Sequence, residues 1–420
     1  MDAKAELCEA TTGEGRVVLM LQGPSSFFFI KLARALRAEG AEVLRVALCP
    51  GDQLYWRRRH GPILAYRGRA GDWPAYLRSV LARFGVTDLL CLGDGRESHR
   101  AAVEVARAAG VRVHIMEQGY LRPGWLTIEP DGTGGRSRLP RDAATIRALA
   151  AQVAPRRTRP FQTSFLEYSV LDVGWNLANL LGAPVLFPHY RTHALDPPLR
   201  EWSGWIGKAV RLPGRRAALR RAEARIAGHE GPLYLFPLQL ETDFQIRQHG
   251  PEEGLRETLQ RVIASFAAHA PADAMLAVKL HPLDNGWAPW EALVASGARQ
   301  SGVAERVVYL DGGDLDAMLG RARGVVTVNS TVGLTAVQQG VPVKVLGRAI
   351  YDVEGMTDPR PLDAFWPEPQ RPEMDLVADF VRLLTGTIQV PGHCDGEGTE
   401  PGAEAMAAAL LAPPPRLTLA

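Results

Sequence analysis

The feature that most constrains this chain is an alternation of short apolar runs with longer segments whose apolar residues recur at helical spacing. Residues 17–21 form such a run, end in Gln22-Gly23-Pro24-Ser25, and lead into helical periodicity over 28–38 that stops at Gly40. The reading is strand, tight turn, helix. It recurs as strand 42–47, helix 73–84, strand 88–92, helix 97–109 and strand 112–116. Apolar strands alternating with helices imply a parallel sheet covered on both faces. Residues 142–228 carry no comparable strand and read as mostly helical, broken by Pro155, Pro160 and the proline-containing stretch 188–198. A second set follows: strand 233–237, helix 254–268, strands 275–279 and 307–310, helix 315–321, strand 325–328, helix 332–339 and strand 343–346. The expectation is an α/β chain with one doubly wound domain over 16–228, including a helical extension, and a second over 229–386. Residues 387–420, rich in Gly, Pro and Ala, are expected to form a flexible tail.

Composition removes several classes. A chain of 420 residues exceeds the ordinary domain of about 100–200. With 46% apolar and 22% charged residues it is a folded globular chain. Its 48 basic and 46 acidic residues leave +2, which gives no broad basic face for a nucleic acid. Five of the basic residues are lysines and 43 are arginines, a bias that carries no function alone. The longest nearly apolar stretch, 177–188, has twelve residues where a membrane span needs about 20, so no transmembrane helix is expected. The first residues include Asp2, Glu6, Glu9 and Glu14 and lack the pattern of a secretory leader, which makes the cytoplasm the expected compartment. Cys8, Cys49, Cys91 and Cys394 lie far apart without a Cys-x-x-Cys pair, so they read as free thiols, and no metal is expected.

Ligands of open parallel sheets gather at the carboxyl ends of the strands. The polar residues at those ends are Gln22, Ser25 and Ser26, Asp94, Glu117-Gln118-Gly119, Gln239 to Asp243, His281-Pro282 and Asn329-Ser330-Thr331. Singly, each has an ordinary explanation: helix capping for Ser25 or Ser330, a turn for His-Pro, local backbone hydrogen bonds for Asp94. Their joint occurrence in both halves favours a ligand site. Gly93-Asp94-Gly95-Arg96-Glu97-Ser98 narrowly misses the dinucleotide fingerprint, because Ser98 replaces the last glycine and the strand is not the first of its unit. There is no phosphate-loop lysine motif and no Gly-x-Ser-x-Gly elbow. Two such sheets suit a transferase that clamps a nucleotide-sugar donor.

The segment Glu117-Gln118-Gly119-Tyr120-Leu121-Arg122-Pro123-Gly124-Trp125-Leu126-Thr127-Ile128-Glu129 resembles the capsular polysaccharide synthesis and export family, in particular its KpsS-type members. Further matching segments are Leu21 to Pro24, Asp94 to Arg100, Pro237 to Asp243, Lys279 to Asp284, Asn329 to Leu334, Tyr351-Asp352 and Phe365-Trp366. The resemblance implies a GT-B glycosyltransferase, with two Rossmann-like domains facing across a cleft. It further implies transfer of β-linked Kdo (3-deoxy-manno-octulosonate) from CMP-Kdo to a lysophosphatidylglycerol anchor. Related sialyltransferases with CMP donors share an acidic pair before Gly, a His-Pro and a Ser-Ser or Ser-Thr, matched here by Glu117-Gln118-Gly119, His281-Pro282 and Ser330-Thr331. Gln118 departs from the pattern, where a second acid is usual, so the proton transfer is assigned to Glu117.

On this reading His281, Ser330 and Thr331 hold the CMP phosphate, joined by Gln239 and Asn329 on the donor side. Retention of configuration calls for a carboxylate nucleophile, Asp243, with Glu241 as its rival, and a base, Glu117. Two basic regions stand out, Tyr55 to His60 and the run holding Arg211, Arg215, Arg216, Arg220, Arg221 and Arg225. They are either solvated helix faces or attraction to the acidic sugar or an anionic membrane surface, which would place the chain peripherally on the inner membrane beside other capsule assembly proteins. The rival readings are an inverting sialyltransferase-like enzyme with another CMP-sugar and a non-catalytic scaffold of a capsule export complex.

Overall fold

The computed structural model describes residues 15–192 and 196–418, with Gln245 as backbone only. The chain runs β1 (Val17–Met20), α1 (Phe28–Ala38), β2 (Glu42–Ala47), α2 (Pro50–Leu54), β3 (Ile63–Ala65), α3 (Trp73–Phe84), β4 (Asp88–Leu92), α4 (Glu97–Ala108), β5 (Arg112–Gln118) and β6 (Trp125–Pro130). Then come α5 (Ala143–Ala150), α6 (Phe165–Leu186), α7 (Pro198–Val210) and α8 (Leu212–Ala227). The second set is β7 (Leu233–Pro237), α9 (Phe244–His249), α10 (Leu255–His269), β8 (Met275–Lys279), α11 (Trp290–Gln300), β9 (Val307–Leu310), α12 (Leu315–Leu319), β10 (Ala322–Thr327), α13 (Thr331–Gln338) and β11 (Val343–Val345). It closes with α14 (Leu362–Phe365), α15 (Met374–Gly386), β12 (Gln389–Pro391) and α16 (Thr399–Leu411).

Two compact α/β units result, the architecture expected of a GT-B type chain. The first holds the described residues up to 138, 152–192 and 382–418; the second holds 139–151 and 196–381. The expected boundaries at 228 and 386 are therefore corrected. Helices α5, α7 and α8 belong to the second unit, and the chain returns to the first at its end.

The first unit is a seven-stranded sheet of order β12-β6-β5-β4-β1-β2-β3, parallel except where β6 pairs with β5 and β12 with β6. One face is packed by α1 and α16 through Phe28, Leu32, Met406 and Leu410, the other by α3 and α4 through Trp73, Leu77, Ala102 and Ala106. The expected flexible tail is corrected here: β12 completes the sheet edge and α16 covers the core. Gly392 (φ +148°) makes this possible, since a Cβ there would come within 2.2 Å of the Gly402 Cα. The second unit is a five-stranded, wholly parallel sheet of order β11-β10-β7-β8-β9. Phe365 and Trp366 serve its core, where they meet Tyr234 and Phe266 edge to face.

At the amino end of β4 the buried Asp88 carboxylate accepts from Arg16 Nε (2.6 Å), Thr87 Oγ1 (2.7 Å) and His114 Nε2 (2.8 Å). Arg16 also donates to the Leu410 and Leu411 carbonyls that end α16, so one carboxylate links β1, β4, β5 and the terminal helix. Burial alone would raise Asp88, but the hydrogen bonds from His114, Arg16 and Thr87 outweigh it and hold the group below the usual carboxylate range. A depressed folded-state value means that the contribution is complete above the ordinary carboxylate pKa of about 4 and fades as pH falls toward the folded value. Asp88→Asn is expected to cost about 3 kcal/mol at neutral pH. Urea denaturation should show the gap to the parent chain narrowing in acid; a gap independent of pH would contradict the assignment.

Candidate functional site

In the first unit the polar groups at the carboxyl edge divide into braces and candidate ligands. Gln22, buried, accepts from Arg96 Nη1 (2.7 Å) and donates to Cys49 Sγ (3.2 Å). Ser25 donates to Asp172 (2.9 Å) and Ser26 to the Cys394 carbonyl (2.9 Å), so both hydroxyls tie loops together. Cys49, Cys91 and Cys394 are buried free thiols; Cys8 lies outside the described residues. Gly93 turns the chain with φ +66°, next to the Glu117 carboxylate: a Cβ at Gly93 would lie 3.4 Å from Glu117 Oε1.

Glu117 and Gln118 end β5, opposite Thr127 and Leu126 of β6. Strand alternation sends their side chains to opposite faces, with Glu117 half-buried and Gln118 exposed. The loop after β6 folds back on this edge, where Thr133 donates to Glu117 Oε1 (3.0 Å) and Arg136 to the buried Asp94 (3.1 Å). What holds the loop is the fully buried Glu129, which accepts from Ser137 and from the Tyr120 hydroxyl (2.6 Å), while Tyr120 in turn accepts from the Gly134 amide (2.7 Å). Burial, then the Glu129 and Glu117 charges, raise Tyr120 well above the ordinary phenol range and keep it a neutral donor. Sequence reasoning missed Thr133 and Arg136; the turn-forming Asp131-Gly132-Thr133-Gly134-Gly135 was the available signal.

In the second unit, Gln239 after β7 and Asn329 after β10 form a reciprocal pair. Gln239 Nε2 donates to Asn329 Oδ1 (2.8 Å), and the Asn329 amide donates to Gln239 Oε1 (3.2 Å). Ser330 caps α13: its Oγ accepts from the Val332 amide (3.2 Å), and its carbonyl accepts from Tyr351. The Thr331 hydroxyl makes no hydrogen bond among the described residues. Tyr351 packs so closely on α13 that a Cβ at Gly333 would come 2.2 Å from its hydroxyl.

His281, half-buried after β8, accepts the Leu283 amide on Nδ1 (3.1 Å), which puts the proton of the neutral ring on Nε2. Asp284 pins this turn by accepting from Gly286 N (2.7 Å) and Trp290 Nε1 (3.2 Å), and burial raises its pKa despite those bonds. Lys279, at the end of β8, is buried and drawn below the ordinary lysine value. Glu241 gives both oxygens to Arg256, at 2.7 and 3.0 Å. Asp243 sits half-buried just before α9, where its carbonyl accepts from Arg247 N (3.1 Å). The structure thus brings Gln239 and Asn329 into contact, turns Ser330 into a cap, and engages Glu241 with Arg256.

The two basic regions differ as well. In α8, Arg215 is paired with Asp311 and Arg225 donates to the Glu305 carbonyl (2.8 Å); Arg216, Arg220, Arg221 and Arg225 are exposed, as is Arg211 just before the helix. Of Tyr55 to His60, the three arginines are exposed and the rest are buried.

Residues 87–394 match the family described as capsule polysaccharide biosynthesis protein. The chain is 32% identical over 381 residues to the capsule polysaccharide export protein KpsS of Escherichia coli, covering 90% of this chain and 96% of that one. It is 30% identical over 383 residues to the capsule polysaccharide modification protein LipB of Neisseria meningitidis serogroup B, covering 90% and 91%. Among solved structures, the β-Kdo 2,7 transferase of Thermosulfurimonas dismutans KpsC superposes with a TM-score of 0.43 at 15% identity, over 94% of this chain and 99% of that one. By the extent of the family match and the two full-length relatives, the chain belongs to the capsule polysaccharide biosynthesis protein family, as a KpsS-like member.

Proposed function

We propose that the chain is a retaining β-Kdo glycosyltransferase of capsule assembly that uses CMP-Kdo and adds Kdo to a lysophosphatidylglycerol or phosphatidylglycerol anchor. The observation that carries this reading is the polar edge of the second sheet, with a histidine whose Nε2 bears the proton, an unspent threonine hydroxyl at a helix start, and the Gln239–Asn329 pair. Such an edge suits a nucleotide monophosphate. A phosphate leaving group needs its charge held more than it needs a proton, and His281 with the amino end of α13 supplies donors and a favourable dipole. No metal enters this scheme. The chain acts peripherally on the inner membrane, where its phospholipid acceptor lies, alongside other capsule assembly proteins.

The chemistry takes two displacements. The Asp243 carboxylate attacks the anomeric carbon of Kdo; the bond to the phosphate oxygen breaks, and CMP leaves with the electron pair. Glu117 then accepts the proton of the acceptor hydroxyl as that oxygen attacks the same carbon and releases Asp243. Asp243 takes the nucleophile's role, and Glu241, which accepts from Arg256 on both oxygens, is its rival. The hydrogen bond from Thr133 orients Glu117.

Incubation with CMP-Kdo and lysophosphatidylglycerol should yield a lipid heavier by one or more Kdo residues in mass spectra, with the donor's configuration retained by NMR. A product of inverted configuration would remove the nucleophile from the scheme, and absence of any product would sink the reading.

His281→Ala should weaken CMP binding by about 10- to 100-fold, the worth of one charge-assisted hydrogen bond. Thr331→Val should weaken it several-fold, without loss of thermal stability in either variant. Unchanged affinity in both, measured by calorimetry, would mean that the phosphate lies elsewhere.

The two acids should fail differently. Asp243→Ala is expected to lose at least about 1,000-fold in transfer while CMP binding persists. Glu117→Gln is expected to lose about 100-fold or more and to accumulate a Kdo adduct, which intact-mass and peptide analysis locates on Asp243. An adduct on Glu241 would exchange the two carboxylates.

A further inference from the structure

Helix α6 is packed on one face only. Inward, Trp175 lies against Gly51 of α2, Asn179 Oδ1 accepts the Gly51 amide (2.7 Å), and Gly182 meets Pro50. Asp172 accepts from Ser25 and Asn176, and Tyr55 donates to the Leu171 carbonyl (2.6 Å). Outward, Leu166, Val170, Val173, Leu177, Leu181 and Val185 recur at three- and four-residue spacing, which is one stripe of a helix. Leu166, Leu181 and Val185 are 73%, 70% and 81% exposed. Every exposed position from Tyr168 to Leu186 is uncharged, and the one exposed acid of the helix, Glu167, sits in its first turn. Folded chains rarely leave an apolar stripe of this length to water.

We propose that this face of α6 docks the protein on an anionic phospholipid bilayer, with the helix lying in the plane of the interface. Charge complementarity selects this occupant. Arg157 and Arg159 precede the helix, Arg191 follows it, and Arg57, Arg58 and Arg59 continue the chain from α2, all exposed. Phe27 and Leu54, also exposed, extend the apolar surface beside Tyr55. An apolar stripe between arginines is the pattern of an in-plane element, apolar side in the acyl boundary and cations at the phosphates. At 22 residues α6 is about 33 Å long, but no described helix is long and apolar enough to cross a membrane. A twofold partner copy fits worse, because it would bring the same arginine rim to both sides of the contact. The inference deepens the proposed function and rests on its phospholipid acceptor for its purpose, while its geometry is that of α6 alone.

The test uses the full chain and co-sedimentation with mixed phosphatidylglycerol–phosphatidylcholine vesicles and with phosphatidylcholine vesicles. The parent chain should bind the anionic vesicles more tightly, and salt should weaken that binding. Leu177→Glu with Leu181→Glu should weaken it by at least about tenfold while thermal unfolding and CMP affinity stay those of the parent. Leu181→Trp should bind as tightly or more tightly. Undiminished binding by the double glutamate variant, or loss only with Arg216→Glu and Arg220→Glu in α8, would overturn the assignment, as would a dimer that the glutamate variant splits into monomers. The two readings fail separately. Vesicle binding without CMP affinity would sink the donor assignment alone, and transfer to a soluble acceptor without dependence of vesicle binding on α6 would sink this one alone.

Discussion

Parallel strands can be joined only by crossing back over the sheet, so successive strands of either unit end on the same edge. Everything polar that follows a strand is thereby collected along that edge, however far apart it lies in the chain. In the second unit this brings Gln239 to Asn329 across 90 residues. In the first unit the rule is broken at β6, which runs antiparallel to β5 and ends beside His114, near the amino end of that strand. The loop that follows has to fold back toward the carboxyl edge, and there Thr133 and Arg136 reach Glu117 and Asp94.

The opposite ends of the first sheet handle buried polarity in opposite ways. At the amino end, Asp88 stays charged because cationic and hydroxyl donors surround it. Near the carboxyl end, burial lowers His99 to about 3, so its ring is neutral and Nδ1 binds the Leu92 and Gly93 carbonyls. Tyr120 is likewise held neutral. A charge surrounded by donors resists change, whereas neutral donors fix the backbone of the Gly93 turn and the 131–137 loop without adding a field of their own. The carboxylate of Glu117 then accepts from the Thr133 hydroxyl of that loop, beside the Gly93 turn.

Much of this was legible in the residues. The strands 42–47, 88–92, 275–279 and 307–310 and the helices 28–38 and 73–84 appear where their periodicity puts them. What escaped had weak local signals. β3 and β12 have three residues each, too few to show a period, and β12 ends in proline amid a Gly- and Pro-rich stretch. β6 alternates as Trp-Leu-Thr-Ile-Glu-Pro, a pattern unlike the fully apolar strands beside it. Candidate site residues were legible as types at strand ends, but their state was not. That Glu241 is paired with Arg256, or that Nδ1 of His281 accepts an amide, depends on contacts that spacing alone does not report.

Helix α6 shows the limit from the other side. Apolar residues at helical spacing read as a core-facing stripe, and only burial reveals that the stripe on Leu166, Val173, Leu177 and Leu181 faces water while Trp175 and Asn179 face the protein. The inner face is no neutral support. Through Asp172 it holds Ser25 in the loop after β1, and through Asn179 it holds the amide of Gly51 at the start of α2. Burial raises Asp172 against the hydrogen bonds from Ser25 and Asn176, so this contact is a buried polar one whose loss leaves a group unpaired. A helix that meets an interface on one face and ties the carboxyl-edge loops of the sheet on the other cannot shift at the first without disturbing the second. If α6 docks as proposed, an acceptor arriving from a bilayer meets an edge whose loops are already fixed by the docking element.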